Sequence, residues 1–135
     1  MLSIAVSEPQ AEGDGLAKKT TYLITTQLEY KGTMAPPQTY VYQQRRRFNE
    51  FATTYNLYKA YLKEPFPEKK LLGRFSDDTV EQRKASFDKI LKELVSTKPG
   101  VLCEKEMAEF LGIGNAITKF IAAQKYFLGV SCKIN

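Results

Sequence analysis

Three consecutive arginines followed by a phenylalanine form the part of the sequence best suited to binding a ligand. Arg45, Arg46, Arg47 and Phe48 lie where an alternating segment gives way to a helical pattern. A guanidinium group donates two parallel hydrogen bonds to an oxyanion and stays charged at neutral pH, so it suits phosphate. A helix that begins beside it adds backbone N–H groups. Because neighbouring side chains of a strand point to opposite faces, Arg46 is expected to point away from Arg45 and Arg47.

The positive charge of the chain is concentrated around these arginines. The 135 residues include 20 Lys and Arg against 15 Asp and Glu, a formal net charge of +5. Residues 43–74 alone contain eight Lys and Arg against three Glu, an excess of five that equals the whole net charge. A localised basic face predicts an anionic partner, which could be a nucleic acid, a phosphorylated ligand or an acidic membrane. The alternative is a basic surface that only keeps the protein soluble.

The composition excludes several classes of function. The chain has no histidine, which removes the usual general base and the commonest metal ligand. Its two cysteines, Cys103 and Cys132, form no zinc-type cluster, and the acidic residues form no paired-carboxylate site. We therefore expect no enzymatic activity, no cofactor and no metal. The sequence also lacks a membrane-spanning run or a signal peptide, so a cytoplasmic location is expected.

Hydrophobic periodicity predicts three strands in the first third of the chain. Residues 2–6 alternate as a short strand, and Thr20–Tyr30 has the strongest period of two, with many β-branched and aromatic residues. Thr39–Arg47 resumes the alternation. The segments Ser7–Lys19 and Lys31–Gln38 have the composition of loops. Three strands in meander order are the simplest interpretation.

The spacing of apolar residues changes to three and four after Arg47, which predicts helices. Phe48–Leu62 has the stripe of an amphipathic helix that covers one face of the sheet. The segment 63–76, with two prolines and a glycine, interrupts it. Asp78 is predicted to cap a second helix that ends before Pro99.

The remaining sequence predicts a third and a fourth helix. Glu104–Leu111 is the third, ended by Gly112, and the apolar residues beyond Gly114 suggest the fourth. The predicted fold class is therefore α+β, a three-stranded antiparallel meander sheet packed against three to four helices. Residues 1–113 are expected to form one domain, and 114–135 a C-terminal helical extension.

Three motifs in this order resemble the PX (phox-homology) domain. The first is RRFNEF at residues 46–51, followed by a helix. The second is PFPEKKLLG at residues 65–73, and the third is VEQR at residues 80–83, where the second helix opens. The similarity extends over roughly residues 2–113. It implies a PX-like fold and a module that binds phosphoinositides, usually phosphatidylinositol 3-phosphate, as in sorting nexins and other endosomal proteins.

The resemblance also implies a role for each motif residue. Arg47 would bind the 3-phosphate, and Phe48 would form the floor under the inositol ring. Lys69 would meet the 1-phosphate, with Lys70 as a substitute or helper. Arg83 would hydrogen-bond the 4- and 5-hydroxyls and so disfavour lipids phosphorylated there. The choice between the two lysines stays open, because the prolines of this loop are two residues apart, whereas the family often has Pro-x-x-Pro.

The loop before the second helix has the composition of a membrane-inserting segment. Leu71, Leu72 and Phe75 are apolar, and Arg74 with the neighbouring lysines can hold anionic headgroups. Each such cation near a membrane contributes about 1 kcal/mol, and burial of a Leu or Phe side chain about 1.5–3 kcal/mol. Together with the resemblance, this loop implies a peripheral location on endosomal or vesicle membranes.

Two further hypotheses come from other classes of protein. The basic segment could bind nucleic acid, which would make the affinity fall steeply with salt. The chain could instead be an adaptor that binds another protein through its sheet and the helix after Gly114, with a weak lipid pocket. A phosphoinositide headgroup in a membrane is the expected partner, with a protein partner through residues 114–135 as a second expectation.

Overall fold

The computed structural model describes residues 2–30, 38–70 and 72–114 of the chain. Three antiparallel strands form one sheet in the order β1 (Leu2–Glu12), β2 (Lys19–Tyr30) and β3 (Gln38–Arg47). The predicted meander is therefore confirmed. Pairing of β2 with β3 places Thr21 opposite Arg47, so the start of β2 lies beside the end of β3.

The first strand is longer than the sequence pattern predicts. Residues 7–19 were predicted to be a loop, but β1 continues to Glu12 and only Gly15–Ala17 forms a short 3₁₀ turn. The pairing register shifts between Ser7 and Gln10, and Glu8 has a φ of 44°. This bulge accommodates Pro9, which has no N–H for a regular ladder, and it lets the strand resume after the interruption.

Three helices follow the sheet, and their ends differ slightly from the predicted ones. They are α1 (Phe48–Tyr58), α2 (Asp77–Thr97) and α3 (Lys105–Leu111). The helix α1 ends at Tyr58 and not at the predicted Leu62, because residues Lys59–Tyr61 form a 3₁₀ turn. Ser76, not Asp78, caps α2, since its side chain accepts a hydrogen bond from the Thr79 N–H. Within the described ranges, no helix is long and apolar enough to cross a membrane.

Gly112 ends α3 as predicted, in the left-handed region with a φ of 74°. A 3₁₀ turn at Pro99–Cys103, which the sequence did not suggest, joins α2 to α3. The predicted fourth helix falls on residues 115–135, outside the described residues, and the proposed division into 1–113 and 114–135 stays a prediction for the same reason.

An aromatic cluster forms the centre of the core between the sheet and the helices. The Phe87 ring of α2 is fully buried and stacks on Phe51 of α1, with centroids 4.0 Å apart and an interplanar angle of 4°. Tyr22 of β2 meets Phe87 edge-on at 5.1 Å, and Phe66 lies 5.7 Å away. These rings join one strand, two helices and the loop after α1, so the elements around the site share one rigid centre.

Hydrogen bonds from Arg46 join the end of α3 to the end of β3. Its Nε donates to the Phe110 carbonyl at 2.9 Å and its Nη2 to the Glu109 carbonyl at 2.7 Å. Its Nη1 pairs with Glu50 at 2.7 Å. A cation at the C-terminal carbonyls of a helix is favourable because the helix dipole is negative there. The side chain thus points away from Arg47, as the alternation predicted.

The helix α2 holds two other elements in place, the strand β1 and the loop between α1 and α2. Asp88 accepts a hydrogen bond from the Val6 N–H of β1 at 2.9 Å. Glu93 accepts hydrogen bonds from the N–H groups of Lys63 and Glu64, at 2.9 and 3.0 Å. The start of the loop is therefore held, which restricts where its later lysines can lie.

Candidate functional site

A pocket of about 350 Å³ opens between the β1–β2 turn, the start of α1 and the loop before α2. No Asp or Glu lines it among the residues that the structure describes. No carboxylate in the lining therefore offsets the positive electrostatic potential of its Lys and Arg side chains, and the pocket suits a ligand with several negative charges. Its seven Lys and Arg residues are Lys18, Lys19, Arg47, Lys69, Lys70, Arg74 and Arg83.

The pocket brings together the residues that the sequence analysis singled out from three separate segments. Arg47, Phe48, Lys69, Lys70 and Arg83 all line it. Arg74 and Phe75 of the predicted membrane loop also line it, while Leu72 lies outside the lining and is almost fully exposed. Leu71, the other predicted insertion residue, falls outside the described residues.

Arg47 stands at the change from strand to helix. Its backbone is still extended, with a φ of −99° and a ψ of 168°, and its N–H donates to the Glu50 carboxylate at 3.1 Å. The side chain is exposed and forms no ion pair with any residue of the described ranges. Its guanidinium therefore lies beside the positive end of α1 with its donors available to a ligand.

Arg83 is held over an aromatic ring and not by a carboxylate. Its Cζ lies 4.1 Å from the centroid of the Phe48 ring, and only 6% of the residue is exposed. The nearby acidic residues of α2 are engaged elsewhere, since Glu81 pairs with Lys84 at 2.8 Å and Asp88 with Lys92 at 2.6 Å. The buried Nε has no hydrogen-bond partner. A cation–π contact holds the guanidinium in place without using its N–H donors.

Phe48 lines the pocket and also packs against the edge of the core. One face of its ring meets Arg83, and Phe66 approaches it with centroids 5.1 Å apart. Its side chain is half-buried. The ring is thus fixed by the aromatic cluster, and the cation stacked on it is fixed in turn.

Tyr22 of β2 does not line the pocket but lies close to Arg83. It is fully buried, and its hydroxyl has no hydrogen-bond partner. Burial raises the pKa of Tyr22, and the positive charge of nearby Arg83 opposes this shift. A raised pKa keeps the phenol uncharged at neutral pH, so a neutral hydroxyl group lies close to Arg83.

The two lysines that the sequence left as alternatives differ in their contacts within the described chain. The Lys70 Nζ lies 3.3 Å from the Thr79 hydroxyl, which is buried at the start of α2. Lys69 is exposed and contacts no polar group of the described chain. The Lys70 ammonium is therefore partly engaged, whereas that of Lys69 is not.

The sequence analysis missed Lys18 and Lys19, which it placed in a loop without function. Lys18 directly precedes β2 and Lys19 is its first residue, and the pairing of Thr21 with Arg47 brings them beside the first motif. A Gly-rich turn ending in two lysines, directly before the most regular strand, was the available signal. No cluster of three or more His, Cys, Asp or Glu in the described residues could hold a metal ion.

Comparison with known proteins finds one family. Residues 35–113, more than half of the chain, match the family described as PX domain. The vacuolar protein sorting-associated protein vps5 of Schizosaccharomyces pombe is 30% identical over 95 residues, which cover 67% of this chain and 16% of that protein. Human sorting nexin-2 is 26% identical over 126 residues, 82% of this chain and 23% of its own. The chain thus spans less than a quarter of either relative.

The fold also matches a solved structure. The chain described as "X-ray structure of a designed CISK-PX domain" superposes with a TM-score of 0.58 at 20% identity. The match covers 81% of this chain and 97% of the other. At this identity the match establishes a common fold, and it agrees with the predicted α+β class.

Proposed function

The chain belongs to the PX domain family, and from this membership together with its pocket we propose a non-enzymatic module that recruits its protein to endosomal membranes by binding phosphatidylinositol 3-phosphate. The observation that carries the proposal is the acid-free cationic pocket in which Arg47, Lys69 and Arg83 meet. Membrane trafficking, in the manner of the sorting nexins, is the process that this binding would serve.

The charges of the pocket suit this headgroup. The 3-phosphate is a monoester with a charge of roughly −1.5 to −2 near neutral pH, whereas the 1-phosphate is a diester. Arg47, at the N-terminus of α1, is proposed to hold the monoester, because its planar guanidinium and the backbone N–H groups of the helix can donate hydrogen bonds to the same phosphate. Lys69 is proposed to meet the diester. Arg83, whose donors the Phe48 ring leaves free, is proposed to bind the 4- and 5-hydroxyls.

The shape of the site argues against nucleic acid as the partner. Two of the three consecutive arginines are used inside the protein, since Arg45 donates to the Glu8 carbonyl at 2.9 Å and Arg46 binds the end of α3. The basic segment therefore offers less charge to a partner than its sequence suggests. Four of the six other cations in this segment line one pocket and do not continue along the surface as a stripe for a nucleic-acid backbone. They are Arg47, Lys69, Lys70 and Arg74.

Vesicle co-sedimentation at about physiological salt tests the proposal. The panel contains each singly and multiply phosphorylated phosphoinositide, with phosphatidylserine vesicles of matched charge as the control. We expect a preference for the 3-phosphate lipid that persists in the presence of RNA. Binding in proportion to vesicle charge, release by RNA, or no binding would each contradict the proposal.

Lys69→Ala is expected to weaken binding to phosphatidylinositol 3-phosphate vesicles about tenfold, and Lys70→Ala by a smaller factor. One charge-assisted hydrogen bond is worth about 1.5 kcal/mol or more, which corresponds to about a factor of ten. Lys70 already contacts Thr79, so less of its interaction is directed at a ligand. Surface plasmon resonance on immobilised vesicles measures both. A larger loss in the Lys70 variant would reverse the assignment.

A further inference from the structure

Two buried polar atoms lie without hydrogen-bond partners where the sheet meets α2. They are the hydroxyl oxygen of Tyr22, a fully buried residue, and the Nε of Arg83, a residue that is only 6% exposed. Most buried polar groups of folded proteins have a partner, so each exception requires an explanation. The common position of these two atoms points to one explanation for both.

Packing holds the Tyr22 phenol beside the Arg83 guanidinium. The Tyr22 ring meets Phe87 edge-on at 5.1 Å and Phe51 at 6.1 Å, with interplanar angles of 87° and 89°. Arg83 precedes Phe87 by four residues on α2, so these two side chains share one face of the helix. Burial raises the pKa of Tyr22, and the positive charge of Arg83 opposes this shift, as expected for neighbouring groups. The phenol therefore lies against the same face of α2 as the guanidinium.

The Arg83 guanidinium is accessible to a ligand from the pocket, but not at its Nε. The residue lines the pocket, and its Cζ lies 4.1 Å from the centroid of the Phe48 ring. Its Nε is closed to solvent, and Tyr22 does not line the pocket. A headgroup in the pocket would therefore meet the terminal Nη atoms, whereas the Nε–H needs an acceptor from the protein. The Tyr22 hydroxyl oxygen is an unoccupied acceptor close to it.

We propose that Tyr22 is a positioning residue of the lipid site, whose hydroxyl oxygen accepts the Arg83 Nε–H when a phosphoinositide headgroup binds the Nη atoms of that guanidinium. The proposal rests on the proposed function, in which Arg83 hydrogen-bonds the inositol hydroxyls. A guanidinium is planar, so fixing the direction of its Nε–H also fixes the directions of its Nη donors. The phenol is a neutral acceptor and leaves the positive charge of Arg83 intact, whereas a carboxylate would compete with the anionic headgroup.

Tyr22→Phe tests the role of the hydroxyl, because it removes one oxygen and keeps the ring. We expect the affinity for soluble inositol 1,3-bisphosphate, measured by isothermal titration calorimetry, to fall about tenfold, the value of one hydrogen bond with a charged group. The free energy of unfolding in urea is expected to stay equal or to rise, since the hydroxyl has no partner in the free protein.

Tyr58→Phe is the matched control for this substitution. Tyr58 is also a buried tyrosine, but it is the last residue of α1 and does not line the pocket. Its loss of the hydroxyl should leave the affinity for the headgroup unchanged. A Tyr22→Phe variant that binds inositol 1,3-bisphosphate as tightly as the parent protein overturns the inference.

A second set of measurements asks whether Tyr22 acts through Arg83. Arg83→Lys replaces the planar fork by a single ammonium group, and in that background Tyr22→Phe is expected to change the affinity less than twofold. In nitrogen-15 NMR spectra, the headgroup should protect the Arg83 Nε–H from exchange in the parent protein and not in Tyr22→Phe.

The outcomes separate this inference from the proposed function. An equal loss of affinity from Tyr22→Phe in both backgrounds, or the same protection of the Nε–H with and without the hydroxyl, overturns the inference and leaves the proposed function standing. If the parent protein binds neither the soluble headgroup nor phosphatidylinositol 3-phosphate vesicles, the proposed function and this inference both fail.

Discussion

Arg47→Ala is expected to lower the affinity for phosphatidylinositol 3-phosphate vesicles by about 100-fold while leaving the free energy of unfolding unchanged. Two charge-assisted hydrogen bonds to a phosphate are worth about 3 kcal/mol together, which is about a factor of 100. The side chain is exposed and pairs with no described residue, so the fold loses little with it. Vesicle co-sedimentation and urea denaturation measure the two quantities.

The neighbouring arginine is the matched control, because it has the same chemistry and an opposite expected outcome. Arg46→Ala removes two hydrogen bonds that hold the end of α3 and an ion pair with Glu50 of α1, so it is expected to lower the free energy of unfolding by about 2–3 kcal/mol. Its loss of vesicle affinity should be small at temperatures where it remains folded. If Arg46→Ala and Arg47→Ala reduce vesicle binding equally, the site is a generic basic patch and not a pocket.

Phe87→Ala is expected to lower the free energy of unfolding by about 3–5 kcal/mol, the range for removing a buried aromatic ring. Its ring is fully buried and contacts Phe51, Tyr22 and Phe66. Small domains have only about 5–15 kcal/mol of stability in total, so the variant should be marginally folded near body temperature. Urea denaturation followed by circular dichroism gives the difference.

Leu57→Ala provides the comparison for this substitution. It also shortens an apolar side chain on a helix, but that side chain is more than half exposed. The expected loss is within about 0.5 kcal/mol. A Phe87 variant that lost less than about 1 kcal/mol would show that the aromatic cluster is not the centre of the core.

The sequence predicted the parts of the fold that depend on local pattern. The period of two in residues 20–30 and the change of spacing after Arg47 gave β2 and the start of α1 within a residue. Gly112 ended α3 as expected. The extension of β1 was missed, because Pro9 and the glycines after it have the composition of a loop, and a bulge followed by continued pairing leaves no local signal.

Pocket residues that belong to the three motifs could be named from the sequence, whereas those that long-range strand pairing brings to the pocket could not. Alternation along β3 gave the direction of Arg46, but its hydrogen bonds to α3 join residues more than 60 positions apart. Lys18 and Lys19 enter the pocket only through the register of β2 against β3. The stacking of Arg83 on Phe48 likewise depends on how α2 lies over α1, which periodicity does not specify.

The hydrogen bond from the Val6 N–H to Asp88 protects part of the sheet edge from pairing with a strand of another molecule. β1 is an edge strand, and unpaired N–H groups on such a strand can template the addition of a strand from another molecule. At Val6 the donor is occupied by a carboxylate of the same chain, and at Pro9 there is no donor. Proteins gathered on a membrane reach high local concentrations, and this stretch of the edge resists their joining sheet to sheet into aggregates.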